Sequence, residues 1–82
     1  MPEITRFYGL IVRMFYKEHN PSHIHVVYGE KSGVINIKTA TMTDGDLPPK
    51  ALLLVKEWVR VYEEELLDMW KEQQIRNLPP LA

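Results

Sequence analysis

Over about the first 40 positions apolar side chains tend to come at every second residue, and over about the last 35 they come at every third or fourth. The first rhythm belongs to strands, whose side chains alternate between two faces, and the second to a helix with one apolar stripe. "EITRFY" and "LIVRMFYK" are rich in β-branched and aromatic residues and are separated by Gly9, so they read either as one bent strand or as two strands around a turn. Asn20-Pro21 interrupts, "HIHVVY" resumes the extended pattern, and "GEKSG", Gly29 to Gly33, signals a hairpin before "VINIKT". The expected product is a small antiparallel sheet of three or four strands over about residues 3–40.

Alternation also assigns the faces. Ile24, Val26 and Tyr28 should point one way with Ile35 and Ile37, joined by Leu10, Val12, Met14 and Tyr16, and this set should meet the helix. His23, His25 and Val27 then share the opposite face with Ile11, Arg13, Phe15, Lys17 and Lys38. A face that mixes imidazoles, cations and apolar side chains has the composition of an interface more than of a solvated surface.

"TMTDGDLPP" reads as the connection from sheet to helix: Asp44-Gly45 favours a turn, and prolines suit a helix start. Beyond it Ala51, Val55, Trp58, Tyr62, Leu66 and Met69 fall on one helical stripe, broadened by Leu54, Val61 and Trp70. The helical region covers about 49–76. As one straight rod it would measure about 39 Å, long for so small a domain; either it continues as one rod exposed at a dimer interface, or it bends near 62–64 with Glu63 opening a second short helix. "NLPPLA" ends the helix and should lie extended along the surface. The fold class is therefore α+β, a single domain over 1–82 with the C-terminal helical region packed on one face of the sheet.

Composition narrows the function classes. A chain of 82 residues buries about 60% of the surface its unfolded form exposes, so self-association would be a natural source of further stability. Two Trp, four Tyr and two Phe supply a core without disulfides, and the lack of cysteine excludes a thiolate zinc site and fits a reducing, cytoplasmic setting. Net charge is −1 and evenly spread, which argues against strong long-range attraction to nucleic acid. Neither a secretory leader nor a membrane-spanning run is expected, "ALLLV" being far shorter than the roughly 20 residues a span needs.

The chemistry concentrates in "KEHNPSHIHVVYG", residues 17–29, which holds all three histidines. Four readings stay open. His23 and His25, two apart on a strand, can aim two imidazoles at one zinc or iron ion, with His19 returned by the turn as third ligand and Glu18, Glu30 or water completing the site. The same pair could act as acid and base on a phosphodiester, with Arg13, Lys17 or Lys38 steadying the charge, which would make a metal-independent ribonuclease with RNA as its partner. Or the residues are structural, His23 and His25 bonding to main chain or to Asn36 while His19 and Asn20 organise the turn before Pro21, or they are contacts for a second copy or a small protein partner, the interface being His19, His23, His25, Arg13, Phe15 and Lys38. Trp58, Trp70 and Tyr28 are assigned to structural packing, and no phosphate-cradling glycine loop is present.

Taken in order, "RFYG", "HNPSHIHV", "LP", Trp58, "EL" and Trp70 resemble the small bacterial family called domain of unknown function 4160, along nearly the whole chain. The positions carrying the resemblance are Arg6, Phe7, Tyr8, Gly9, His19, Pro21, His23, His25, Trp58, Leu66 and Trp70; Ser22 stands where relatives often have a second proline. The resemblance implies a bacterial stand-alone protein, sometimes encoded beside another small domain as in toxin and antitoxin pairs. On sequence, then, the preferred reading is a small interaction module, homodimeric or paired with a small protein, needing no cofactor.

Overall fold

The computed structural model describes residues 3–81. Five strands, β1 (Glu3–Phe7), β2 (Leu10–Arg13), β3 (His23–Tyr28), β4 (Lys31–Asn36) and β5 (Thr41–Gly45), are followed by helices α1 (Pro49–Val61) and α2 (Glu63–Glu72). The strands form one antiparallel sheet in the order β1-β2-β3-β4-β5, a plain meander with helices on one face. The α+β class holds, but the strand count is five rather than three or four.

The extra strand comes from both ends of the sheet pattern. "EITRFY" and "LIVRMFYK" are separate strands because Phe7 pairs with Leu10 across a two-residue turn, in which Tyr8 and Gly9 both sit at positive φ (49° and 82°). At Gly9 a Cβ would also stand 3.3 Å from the Tyr28 ring, so the turn and its cover demand glycine twice over. β5, "TMTDG", was hidden in the expected connector: all of it is exposed except the half-buried Met42, and Asp44 and Gly45 carry turn rather than strand propensity. It pairs with β4 through a bulge between Val34 and Ile35, and at Gly45 (φ 117°) a Cβ would collide with the Ser32 carbonyl and the Gly33 backbone. An edge strand so close to its neighbour tolerates no side chain there.

The burial pattern follows the predicted phase along the middle strands. Leu10, Val12, Met14, Ile24, Val26, Ile35 and Ile37 are all buried, while Ile11, Arg13, His23, His25, Val27 and Val34 are half-buried on the other face. Tyr16 and Tyr28 depart from it. Expected in the core, they are 49% and 38% exposed, because Met14 already ends the buried run of β2 and Tyr28 sits at the hairpin end of β3, where its ring covers Gly9. "KSG" belongs to β4, so the β3–β4 turn is only Gly29 and Glu30.

The helices close the core with Ala51, Val55, Trp58, Leu66 and Met69 from the expected stripe, plus Val59; Val61, placed on the stripe's margin, is 59% exposed. Tyr62 breaks the rod (φ −111°, ψ 22°), and three glutamates then occupy the first turn of α2, where carboxylates meet unpaired helix donors. α2 stops at Glu72 because Gln73 is left-handed (φ 55°), four residues before the expected end. The tail that follows is pinned rather than loose: the Leu78 amide donates to the Ile4 carbonyl (3.0 Å) along the free edge of β1, and the Trp58 indole N–H donates to the Pro79 carbonyl (2.8 Å). Ala82, the last residue of that tail, lies outside the described residues. No helix of the described residues is long and apolar enough to cross a membrane.

Trp58 joins all of this, being fully buried against Phe7 and Tyr62 (ring centroids 6.1 and 5.5 Å) while holding the tail. Its replacement by alanine is expected to cost about 3–5 kcal/mol, and by phenylalanine less, since one aromatic ring stays while the rest of the indole and its bond to Pro79 go. Urea denaturation measures both; an unchanged midpoint for W58A would show that the core does not depend on it.

Candidate functional site

β3 delivers His23 and His25 to the face away from the helices, because Ile24 and Val26 are fixed on the other. Between Arg13 and His23 the chain makes a wide loop. Lys17 adopts positive φ (62°), its amide donating to Gln73 Oε1 (2.7 Å), and the Asn20-Pro21 peptide is cis. This path swings Glu18 back over β3.

There one carboxylate oxygen serves both imidazoles. His23 Nε2 lies 3.0 Å and His25 Nε2 2.8 Å from the same Glu18 Oε1, and the three donor atoms all fall within 4.8 Å of one another. The side chains are 15%, 29% and 31% exposed for His23, His25 and Glu18, so the cluster is half-buried and open to solvent on one side. Burial pushes the Glu18 carboxyl up, yet the hydrogen bond and charge of His25, joined by those of His23, outweigh it and hold the group below the ordinary carboxylate range.

The second nitrogen of His23 restricts its protonation. Nδ1 lies 2.8 Å from the Pro21 carbonyl, which can only accept, so Nδ1 carries a proton. Nε2 then has two uses: it holds a second proton directed at Glu18, or it presents its lone pair to a cation. Carbonyl groups that fix the outer nitrogen of an imidazole are the usual support of metal-binding histidines.

Aromatic rings wall the cluster. Phe15 meets His25 edge-on at 4.6 Å, the two imidazoles are 5.2 Å apart, and Trp70 from α2 lies 4.9 Å from His23 with its indole N–H bonded to Asn20 Oδ1 (3.0 Å). Beside them the Ser22 hydroxyl is buried with no hydrogen-bond partner, an arrangement that ordinarily costs about 1–3 kcal/mol.

The structure thus gathers His23, His25 and Phe15, with Arg13 opposite His25 in the β2–β3 register. It leaves His19 exposed and outside the cluster, and Glu18 takes the third position expected of it. Lys17 is exposed and engaged through its backbone, and Glu30 is at the far hairpin. Lys38 lies by Asn20 and Ser22, in the wall of a neighbouring cavity. Trp70, expected only as packing, is half-buried against a histidine 47 positions away in the sequence, a contact that helical spacing could not reveal.

The family described as Domain of unknown function (DUF4160) matches residues 9–71, more than half of the chain and all of the cluster. No curated protein and no solved structure matches it.

Because Glu18 has its pKa lowered on folding, its anion contributes stability fully above its ordinary value of about 4.5, and that contribution is lost as pH falls through the lower folded value. The stability gap between the wild type and Glu18→Gln should accordingly be widest near neutral pH and close as the pH is taken towards 3. Urea midpoints across that range test it; a gap independent of pH would mean that Glu18 acts through packing alone.

Proposed function

This chain belongs to the DUF4160 family, whose description names no activity, and from the geometry we propose that it is a divalent-metal-binding protein with Glu18, His23 and His25 as ligands. One observation carries the reading: two imidazole nitrogens and a carboxylate oxygen converge within 4.8 Å while the outer nitrogen of His23 is fixed by a backbone carbonyl. Nitrogen and oxygen donors without thiolate suit zinc or iron(II), and three protein ligands leave a position for water or substrate, the arrangement of reactive rather than purely structural centres. An acid–base pair working on a phosphodiester is less well served, since it needs its imidazoles on either side of a reacting bond, whereas these two converge on one oxygen.

Zinc titrated into tag-free, EDTA-treated protein should bind one ion per chain by calorimetry. H23A, H25A and E18Q should each weaken it at least about tenfold while H19A changes little. The ion displaces protons, so affinity should fall from pH 7.5 to 5.5 and the enthalpy should depend on the buffer. Failure of both zinc and iron(II) to bind, or an H19A variant as impaired as H25A, would defeat the reading.

The partner-binding reading keeps an observation of its own. Half-buried Ile11, Val27, Val34 and Phe15 lie around Arg13 on the sheet face turned away from the helices, an apolar strip that a second copy would cover. Light scattering at micromolar concentration should then give twice the chain mass of 9.6 kDa. A monomer at every concentration would remove the homodimer.

A further inference from the structure

Between the loop that precedes β3 and the end of α2 lies a cavity of about 600 Å³, well within the size of small-molecule sites. Its wall takes Asn20 and Ser22 from the loop, Lys38 from beyond β4, and Leu67, Trp70 and Lys71 from α2. No acidic side chain lines it, although the chain as a whole carries one more acidic than basic residue. Among the described residues neither Lys38 nor Lys71 is in an ion pair. Two cations therefore line one half-open cleft with no anion to answer them.

The remaining wall adds two further features. Trp70 is held in place by the bond from its indole N–H to Asn20, so its ring is a fixed aromatic surface rather than a mobile cover. Leu67 adds apolar surface to the same wall. An anion alone would use the lysines and leave the aromatic and apolar wall bare.

We propose that this cavity binds a nucleotide, its phosphate between Lys38 and Lys71 and its base against Trp70. Ammonium groups bind phosphate as point charges, and an indole stacks on any base, so the site should be selective for the combination rather than for one base. None of these wall residues is among the three donors of the metal cluster, so the proposal stands whether or not an ion binds there.

The full chain, stripped of metal with EDTA, is titrated with AMP and UMP, and separately with adenosine and inorganic phosphate, by calorimetry and by amide chemical shifts. The nucleotides should bind saturably, with shifts centred on residues 20–22, 38 and 67–71, and the two fragments should each bind at least about tenfold more weakly. Lys38→Ala/Lys71→Ala should weaken AMP at least about tenfold with an unchanged melting temperature. A short RNA that competes more tightly than AMP would identify an RNA end as the source of the phosphate, and one that does not would identify the free nucleotide. The proposal is overturned if no nucleotide binds up to about 10 mM, far weaker than specific recognition requires, if the double lysine variant binds as well as the wild type, or if inorganic phosphate binds as well as AMP.

Discussion

The phase of β3 is held by burial on one side of the strand. Ile24 and Val26 are wholly shut from solvent, paired across to Ile35 on β4 and Val12 on β2, so they are gripped in the middle of the sheet from both neighbours. Each such side chain contributes roughly 1.5–3 kcal/mol by leaving water. A slip of one residue would forfeit that for both and carry two imidazoles into the core, where an unpaired polar group costs further. The histidines consequently share the outer face without any interaction of their own having to place them there.

Stability does not explain what happens on that face. Glu18 is about a third exposed, and ion pairs at such positions commonly contribute between nothing and about 1 kcal/mol. Yet the cluster draws one carboxylate oxygen between two imidazoles, fixes a third contact from His23 to the Pro21 carbonyl, and flanks the imidazoles with Phe15 and Trp70. A surface needing only solubility would place these groups in water. Convergent donors with restricted protonation are instead the requirement for holding a cation, and the depressed pKa of Glu18 keeps its negative charge available over the range in which such an ion would be held.

How much could be read from the sequence divides along the range of the interactions. The pleat is a local property, so the alternation of "HIHVVY" and "VINIKT" placed both histidines on the outer face and Ile24, Val26, Ile35 and Ile37 in the core. The helical stripe was likewise legible through Trp58, Leu66 and Met69, but the break at Tyr62 was only one of two arrangements the spacing allowed. β5 was not, because an edge strand that buries almost nothing leaves no apolar rhythm, and Asp44-Gly45 reads locally as a turn. Glu18 and His19 are neighbours with equally suitable donors, and spacing could not choose between them. What chose was the reversal at Lys17, a backbone state that its side chain does nothing to announce.

That reversal is itself tied to the far end of the chain. Had α1 and α2 formed one rod, their shared axis would have run past strands of only four to six residues, and its last turns would have met nothing. The break at Tyr62 gives α2 its own direction and puts its last turn against the loop. There Gln73 accepts from the Lys17 amide while Trp70 donates to Asn20 and lies beside His23, so two points of the loop and the first histidine of β3 are held from the C-terminal end of α2. The left-handed residue that ends α2 is thus tied to the outer-face cluster, although it touches none of the three donors. In so small a domain the helix that closes the core also decides which carboxylate reaches the histidines, and the cavity between helix and loop follows from the same contact.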